Sequence, residues 1–163
     1  MIPQDSAILR ELSARYLEIC HSDEQRQRRD LWRRHNSLQR TRPPIYVRAV
    51  TWKEIPEVQQ LSCRDPFLRE HEYWLRQQLY RATLGDDFTF LPWLTVAAVH
   101  RVPQSSIWGV EIKRIPSPEP GGAWHYDPPL KRLEDRAQLR RLRHEIDEAA
   151  TERQATRLRE AVG

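Results

Sequence analysis

One stretch restricts the fold of this chain more than any other: CRDPFLREHEYWLRQQLYRATLG, from Cys63 to Gly85. An aspartate at the N-cap accepts an orphan backbone N–H, and a proline at the first helical position forfeits no hydrogen bond, so Asp65-Pro66 marks a helix start. Phe67, Glu70/His71, Trp74, Leu75, Gln78/Leu79 and Ala82 then recur at helical spacing. They predict an amphipathic helix over 66–83, which Gly85 closes. Short apolar runs flank it, Ile45-Tyr46-Val47 and onward to Val50 before it, Phe88 to Leu91 after it, and both read as strands. Strand, helix and strand in that order predict a β-α-β unit whose strands are parallel and joined by a right-handed crossover.

The flanks are more helical. Asp5 or Ser6 is placed to cap a first helix, with Ile8, Leu12, Tyr16 and Ile19 on one stripe. Ser22 or Asp23 caps a second, running towards Arg40, whose apolar content is only Leu31, Trp32 and Leu38. A helix this polar is not held by burial and needs a partner surface. Thr51 and Glu54 have capping-box spacing, and Val96 to Val99 extends the strand-like region. IWGVEIKRI and AWHYDPPL flank the loop PSPEPGG and predict a hairpin-like excursion. From Glu134 the chain reads as helical, ending in DEAATERQATRLREAV capped by Asp147. The expected organisation is a helical extension over 1–42, strands and helix with the excursion over 43–133, and a helical segment over 134–163.

Composition narrows the function classes. The 163 residues are 39% hydrophobic and 31% charged, with mean hydropathy −0.80. Six tryptophans and five tyrosines nevertheless supply enough buriable area to argue against disorder. Of the 27 basic residues only Lys53, Lys113 and Lys131 are lysines. An arginine-rich helical module would bind nucleic acid or an acidic protein partner. The interleaving of Asp23, Glu24 and Asp30 with the arginines favours a solvated helix face instead. Cys20 and Cys63 form no CxxC spacing, which leaves neither a disulfide framework nor a metal signature. No apolar run is long enough for a bilayer and no signal-peptide core opens the chain, so the expected compartment is the cytoplasm.

Taken together, RPPIYVR, CRDPFLREHEYWLRQQLYR and DDFTFLPWLTVAAV resemble the opening of the uroporphyrinogen decarboxylase superfamily, which includes the decarboxylase and the corrinoid-dependent methyltransferases. The likeness covers roughly Arg42 to Val99. It extends more loosely to LWRRHNSLQR and to GAWHYDPPLKRLEDRAQLRRL, as in a divergent branch of that superfamily. It implies an α/β fold, with a helical N-terminal extension followed by the first strand-helix units of a TIM-type (β/α)8 barrel. A complete barrel needs eight such units and about 250 residues, so the chain reads as the front part of a longer protein or a shortened relative. The resemblance further implies methyl transfer through a corrinoid protein, or a related one-carbon or decarboxylation reaction, in the intact protein. Zinc held late in the barrel would serve it there, and no cofactor is expected on this chain, which alone is expected to lack catalysis.

By the same resemblance Arg48 falls where the first barrel strand presents an arginine to the carboxylates of a small anionic substrate. The next family arginine is replaced by Trp52 and Lys53, and FLPWL lacks the acid that steers a tetrapyrrole, which argues against tetrapyrrole decarboxylation. Arg48, in an apolar run, therefore either clamps a ligand or pairs with a structural acid such as Asp86 or Asp87. Trp93 and His125 are the further candidates for a substrate pocket wall, with ordinary packing as the alternative. Asp86 and Asp87 look like a paired acid-base site but sit at a helix-to-strand turn, where capping is the simpler role. PEPGG is a turn, since neither a lysine nor a helix start follows it. A homodimer is compatible with the sequence, a membrane partner is not expected, and a small helical scaffold protein is the remaining rival reading.

Overall fold

The computed structural model describes residues 3–48, 50–101, 108–119, 122–141 and 144–163. It is a mixed α/β chain that divides into two units, Met1–Thr95 with Gln154–Gly163, and Val96–Arg153. The divisions expected after residues 42 and 133 fall inside the first and second unit respectively.

In the first unit, α1 (Pro3–His21) packs against α4 (Pro66–Arg81). Leu9, Leu12, Tyr16 and Cys20 from α1 meet Leu68 and Leu75 from α4, and Val58, Cys63, Phe90, Leu158 and Ala161 complete the buried core. Tyr16 sits edge-on to Trp74 and Phe90, at ring separations of 5.3 and 6.1 Å. The start of α4 follows the sequence: the Asp65 side chain accepts the Leu68 N–H at 3.1 Å and Pro66 opens the helix. Its end does too, through a 3-10 turn (Ala82–Leu84) and Gly85 at φ 69°, a left-handed conformation that favours glycine. The buried face of α4 differs from the apolar stripe, because Glu72 and Arg81 are buried on it.

Helix α2 (Asp23–Asn36) starts at Ser22, whose hydroxyl accepts the Gln25 N–H. Thin in apolar side chains, it is attached by polar ones. Buried Gln25 donates through Nε2 to the Phe88 carbonyl at 3.1 Å and accepts the Phe90 N–H on Oε1 at 2.8 Å. Its amide thus occupies the place of a neighbouring strand. Arg29 donates to the carbonyls of Cys20 and Phe90, and Trp32 Nε1 to that of Asp87 at 2.6 Å. A short helix α3 (Pro56–Gln59) follows a 3-10 turn at Trp52–Glu54, where the expected Thr51 capping bond does not form.

The segments anticipated as strands at 45–50 and 88–91 join no sheet among the described residues, and no parallel strand pair or barrel is present there. The physical reason is that their backbone groups are taken by side chains. Gln25 and Arg29 hold the second segment, and Asp86, Asp87 and Arg81 hold the first.

The second unit contains two antiparallel pairs. Strand β1 (His100–Arg101) pairs with β4 (Glu145–Ile146), and β2 (Lys113–Ile115) pairs with β3 (His125–Asp127) as the expected hairpin. Leu133–Gln138 forms a 3-10 helix, so only part of the stretch from Glu134 is helical before α5 (Glu148–Val162) begins. Asp147 caps α5 by accepting the Ala150 N–H at 2.9 Å. Among the described residues no hydrophobic side chain of this unit is buried, and Trp108, Ile112, Ile115, Trp124, Tyr126 and Leu133 are all exposed. No helix among the described residues is long and apolar enough to cross a membrane.

Candidate functional site

The site proposed around Arg48 is built from the turn that ends α4. Gly85 reverses the chain and places Asp86 and Asp87 beside the segment that leads to Arg48. The Asp87 N–H donates to the Ile45 carbonyl at 2.7 Å, and the Asp87 carboxylate accepts the Ile45 N–H at 2.8 Å. Asp86 accepts the Val47 N–H at 2.8 Å, while Arg81 Nη1 donates to the Val47 carbonyl at 2.7 Å. In an extended chain, alternate residues turn their backbone groups to opposite sides. Residues 45 and 47 are therefore tied to this turn, and Tyr46 and Arg48 present theirs away from it.

Two arginines that the sequence reading passed over complete the clamp. Arg42 donates to the Asp87 carboxylate through both terminal guanidinium nitrogens, at 2.7 and 2.5 Å. Arg81 is buried with its guanidinium over three rings, 4.5 Å from Phe88, 5.6 Å from Trp52 and 5.7 Å from Tyr46. Tyr46 also stacks on Phe88 at 5.6 Å. Both lie inside stretches that carry the family resemblance, Arg42 opening RPPIYVR and Arg81 ending CRDPFLREHEYWLRQQLYR, but neither was assigned a role there. The available signal was the DD pair after a helix-ending glycine, which needs donors once it is buried.

Arg48 itself is exposed, against the expectation of a guanidinium inside an apolar strand, and Ile45 and Tyr46 beside it are 64% and 48% exposed. It does not pair with Asp86 or Asp87, and among the described residues it makes no ion pair at all. Trp93 lies in the same unit, 55% exposed, with its N–H on the Leu91 carbonyl at 2.8 Å, and it shares no ring contact with Arg48. His125 is exposed on β3 in the second unit, opposite Ile115. Arg48 and Trp93 thus share a unit, with no hydrogen bond or ring contact joining them among the described residues, and His125 belongs to the other.

The two carboxylates are not an acid-base pair. The Arg42 guanidinium holds the Asp87 carboxyl down at about 2 against the opposing effect of burial, and the Ile45 N–H adds to this. A group so firmly ionised, with its lone pairs occupied, neither donates nor collects a proton near neutrality. A cavity of about 330 Å³ opens beside it, lined by Glu24, Arg28, Leu31, Arg42 and Asp87 among others. Its charges are already matched, Arg28 to Glu24 at 2.6 Å and Arg42 to Asp87.

The side chains present do not fit zinc. Among the described residues no three His, Cys, Asp or Glu groups converge as a metal site. Zinc takes thiolates, whereas burial raises the Cys20 thiol, and burial with neighbouring Glu72 pushes Cys63 up to about 12. Both are held as thiols inside the core.

Comparison with known proteins leaves the assignment to these observations: no family model, no curated protein and no solved structure matches the chain.

Proposed function

We propose that this chain is the N-terminal portion of a uroporphyrinogen decarboxylase-like protein, contributing outer helices and one substrate-clamping arginine to a (β/α)8 barrel. The chemistry of the intact protein is corrinoid-linked methyl transfer or a related one-carbon reaction on a small anionic substrate, and the chain alone is non-catalytic. The observation that carries this reading is the state of Arg48: exposed and without an ion pair among the described residues, following a backbone held at Ile45 and Val47. A fixed backbone with an uncommitted guanidinium is pre-organised for a carboxylate, which an arginine binds through two parallel hydrogen bonds.

The arginine-rich helical module is the weaker reading. On α2, Arg26, Arg28 and Arg33 pair with Asp23, Glu24 and Asp30, and Arg29 is spent on backbone carbonyls. Few guanidinium groups there remain for phosphates.

The test is a titration of the chain with benzene-1,3,5-tricarboxylate at low salt, followed through the Arg48 Nε–H resonance. Binding that shifts this resonance and weakens about tenfold in the Arg48→Gln protein supports the proposal. An unperturbed Arg48 signal, or equal affinity in Arg48→Gln, overturns it.

A further inference from the structure

The β2–β3 hairpin has two chemically different faces. Alternate side chains of a strand point to opposite sides, and the register sets Lys113 opposite Asp127 and Arg114 opposite Tyr126. On one face the Arg114 guanidinium lies 4.5 Å over the Trp124 ring and 5.7 Å over Tyr126. The other face borders a cavity of about 550 Å³ whose charged lining is Lys113, Lys131 and Arg140 against Glu111 and Asp127.

The cations are not all spent. Lys131 is ion-paired with Asp127, whereas among the described residues neither Lys113 nor Arg140 makes an ion pair. Arg140 is also held in place. Its backbone N–H donates to the Trp108 carbonyl at 2.9 Å, and its stem crosses Gly109 so closely that a Cβ there would meet Arg140 Cγ and Cδ at 2.8 Å. Gly109, at φ 76°, is thus required twice, by its backbone and by the arginine laid over it. A supported guanidinium and an ammonium that lies opposite Asp127 without an ion pair to it, lining one cavity, make a site for negatively charged oxygens. The volume is in the range of small-molecule sites, larger than a bare inorganic anion needs.

We propose that this cavity binds a small organic dianion, with Arg140 and Lys113 taking its charged oxygens. The inference is independent of Arg48, which lies in the other unit. A phosphate monoester and a dicarboxylate share this chemistry, so the experiment uses both.

The intact chain is titrated by calorimetry at low salt with glycerol 3-phosphate and, separately, with succinate. Saturable binding is expected, and the tighter arm names the source of the dianion; equal affinity supports a site that reads charge alone. Arg140→Gln and Lys113→Gln each weaken it about tenfold, and Arg140→Lys falls between wild type and Arg140→Gln because it keeps the charge and loses the planar fork. Arg114→Gln, on the opposite face, leaves the affinity unchanged. Hairpin amide shifts, compared between variants, show that the fold is retained. Absence of saturation by either anion, or an equal loss in Arg114→Gln, overturns the proposal.

Discussion

Asp5 and Glu72 divide four consecutive backbone N–H groups between them. Glu72 accepts those of Ser62, at 2.9 and 3.0 Å, and Cys63, at 2.8 Å; Asp5 accepts those of Arg64, at 3.2 and 3.3 Å, and Asp65, at 3.0 Å. Both carboxylates are fully buried. The loop between α3 and α4 is thereby docked onto the core without a strand partner, and Asp65 is set to cap α4. Burial pushes the Glu72 carboxyl up, but the N–H groups of Cys63 and Ser62 and the Arg76 guanidinium more than offset it, so the net shift is downward. Glu72→Ala and Asp5→Ala strand buried donors, and each is expected to cost about 2–4 kcal/mol in urea unfolding. Because both hold one loop, the double variant should lose less than the sum. Strict additivity would show that the two carboxylates act separately.

Gln25 makes a sharper test of how α2 is attached. Its amide satisfies the Phe88 carbonyl and the Phe90 N–H together. Gln25→Leu keeps the bulk and leaves both groups buried and unpaired, a cost of about 1–3 kcal/mol each at most. The Phe90 amide should then exchange with solvent much faster, while the Leu75 amide in α4 keeps its protection. Unchanged exchange at Phe90 would mean that apolar contacts carry α2 after all.

Acid should loosen the clamp around Asp87. Its folded carboxyl titrates at about 2, below the ordinary unfolded value of about 3.9. The stabilisation is therefore complete above about pH 4 and is lost as pH falls through about 2. Tyr46, stacked on Phe88 beside the clamp, should report the change by near-ultraviolet circular dichroism. The Asp87→Asn protein should lack this acid transition and be less stable at neutral pH, since it cannot match both the Arg42 fork and the Ile45 N–H.

These clamps explain what the sequence disclosed and what it hid. Helix α4 was legible end to end because Asp65, Pro66 and Gly85 act on their own backbone, a local effect that spacing records. Asp147 and Ser22 were legible for the same reason. Asp5 looked like a cap for α1, yet it lies within the first turn of that helix and serves a loop some sixty residues onward. Periodicity carries no information about such a partner. The runs at 45–50 and 88–91 have strand composition, but a side-chain amide and two carboxylates replace the ladder that composition led us to expect. Of the candidate site residues, Arg48 was picked out by its place in an apolar run, and its exposure turns on neighbours that no local pattern names.

Cys63 ties the acid-rich core to alkaline stability. Burial, with Glu72 next in effect, pushes its thiol up to about 12, and its Sγ donates to the Asp5 carbonyl at 3.8 Å. An unfolded thiol loses its proton near 8.5, so the folded state binds that proton more tightly. Stability is full below about pH 8.5 and falls as pH rises towards 12. A thiol-specific reagent at pH 8 should therefore modify native protein far more slowly than urea-unfolded protein, with a rate that tracks opening of the core. Glu72→Gln removes the charge that opposes a thiolate and should bring the Cys63 titration down towards its ordinary range. A Cys63 that reacts in native protein as fast as a free thiol would place it outside the core and remove the basis of this alkaline dependence.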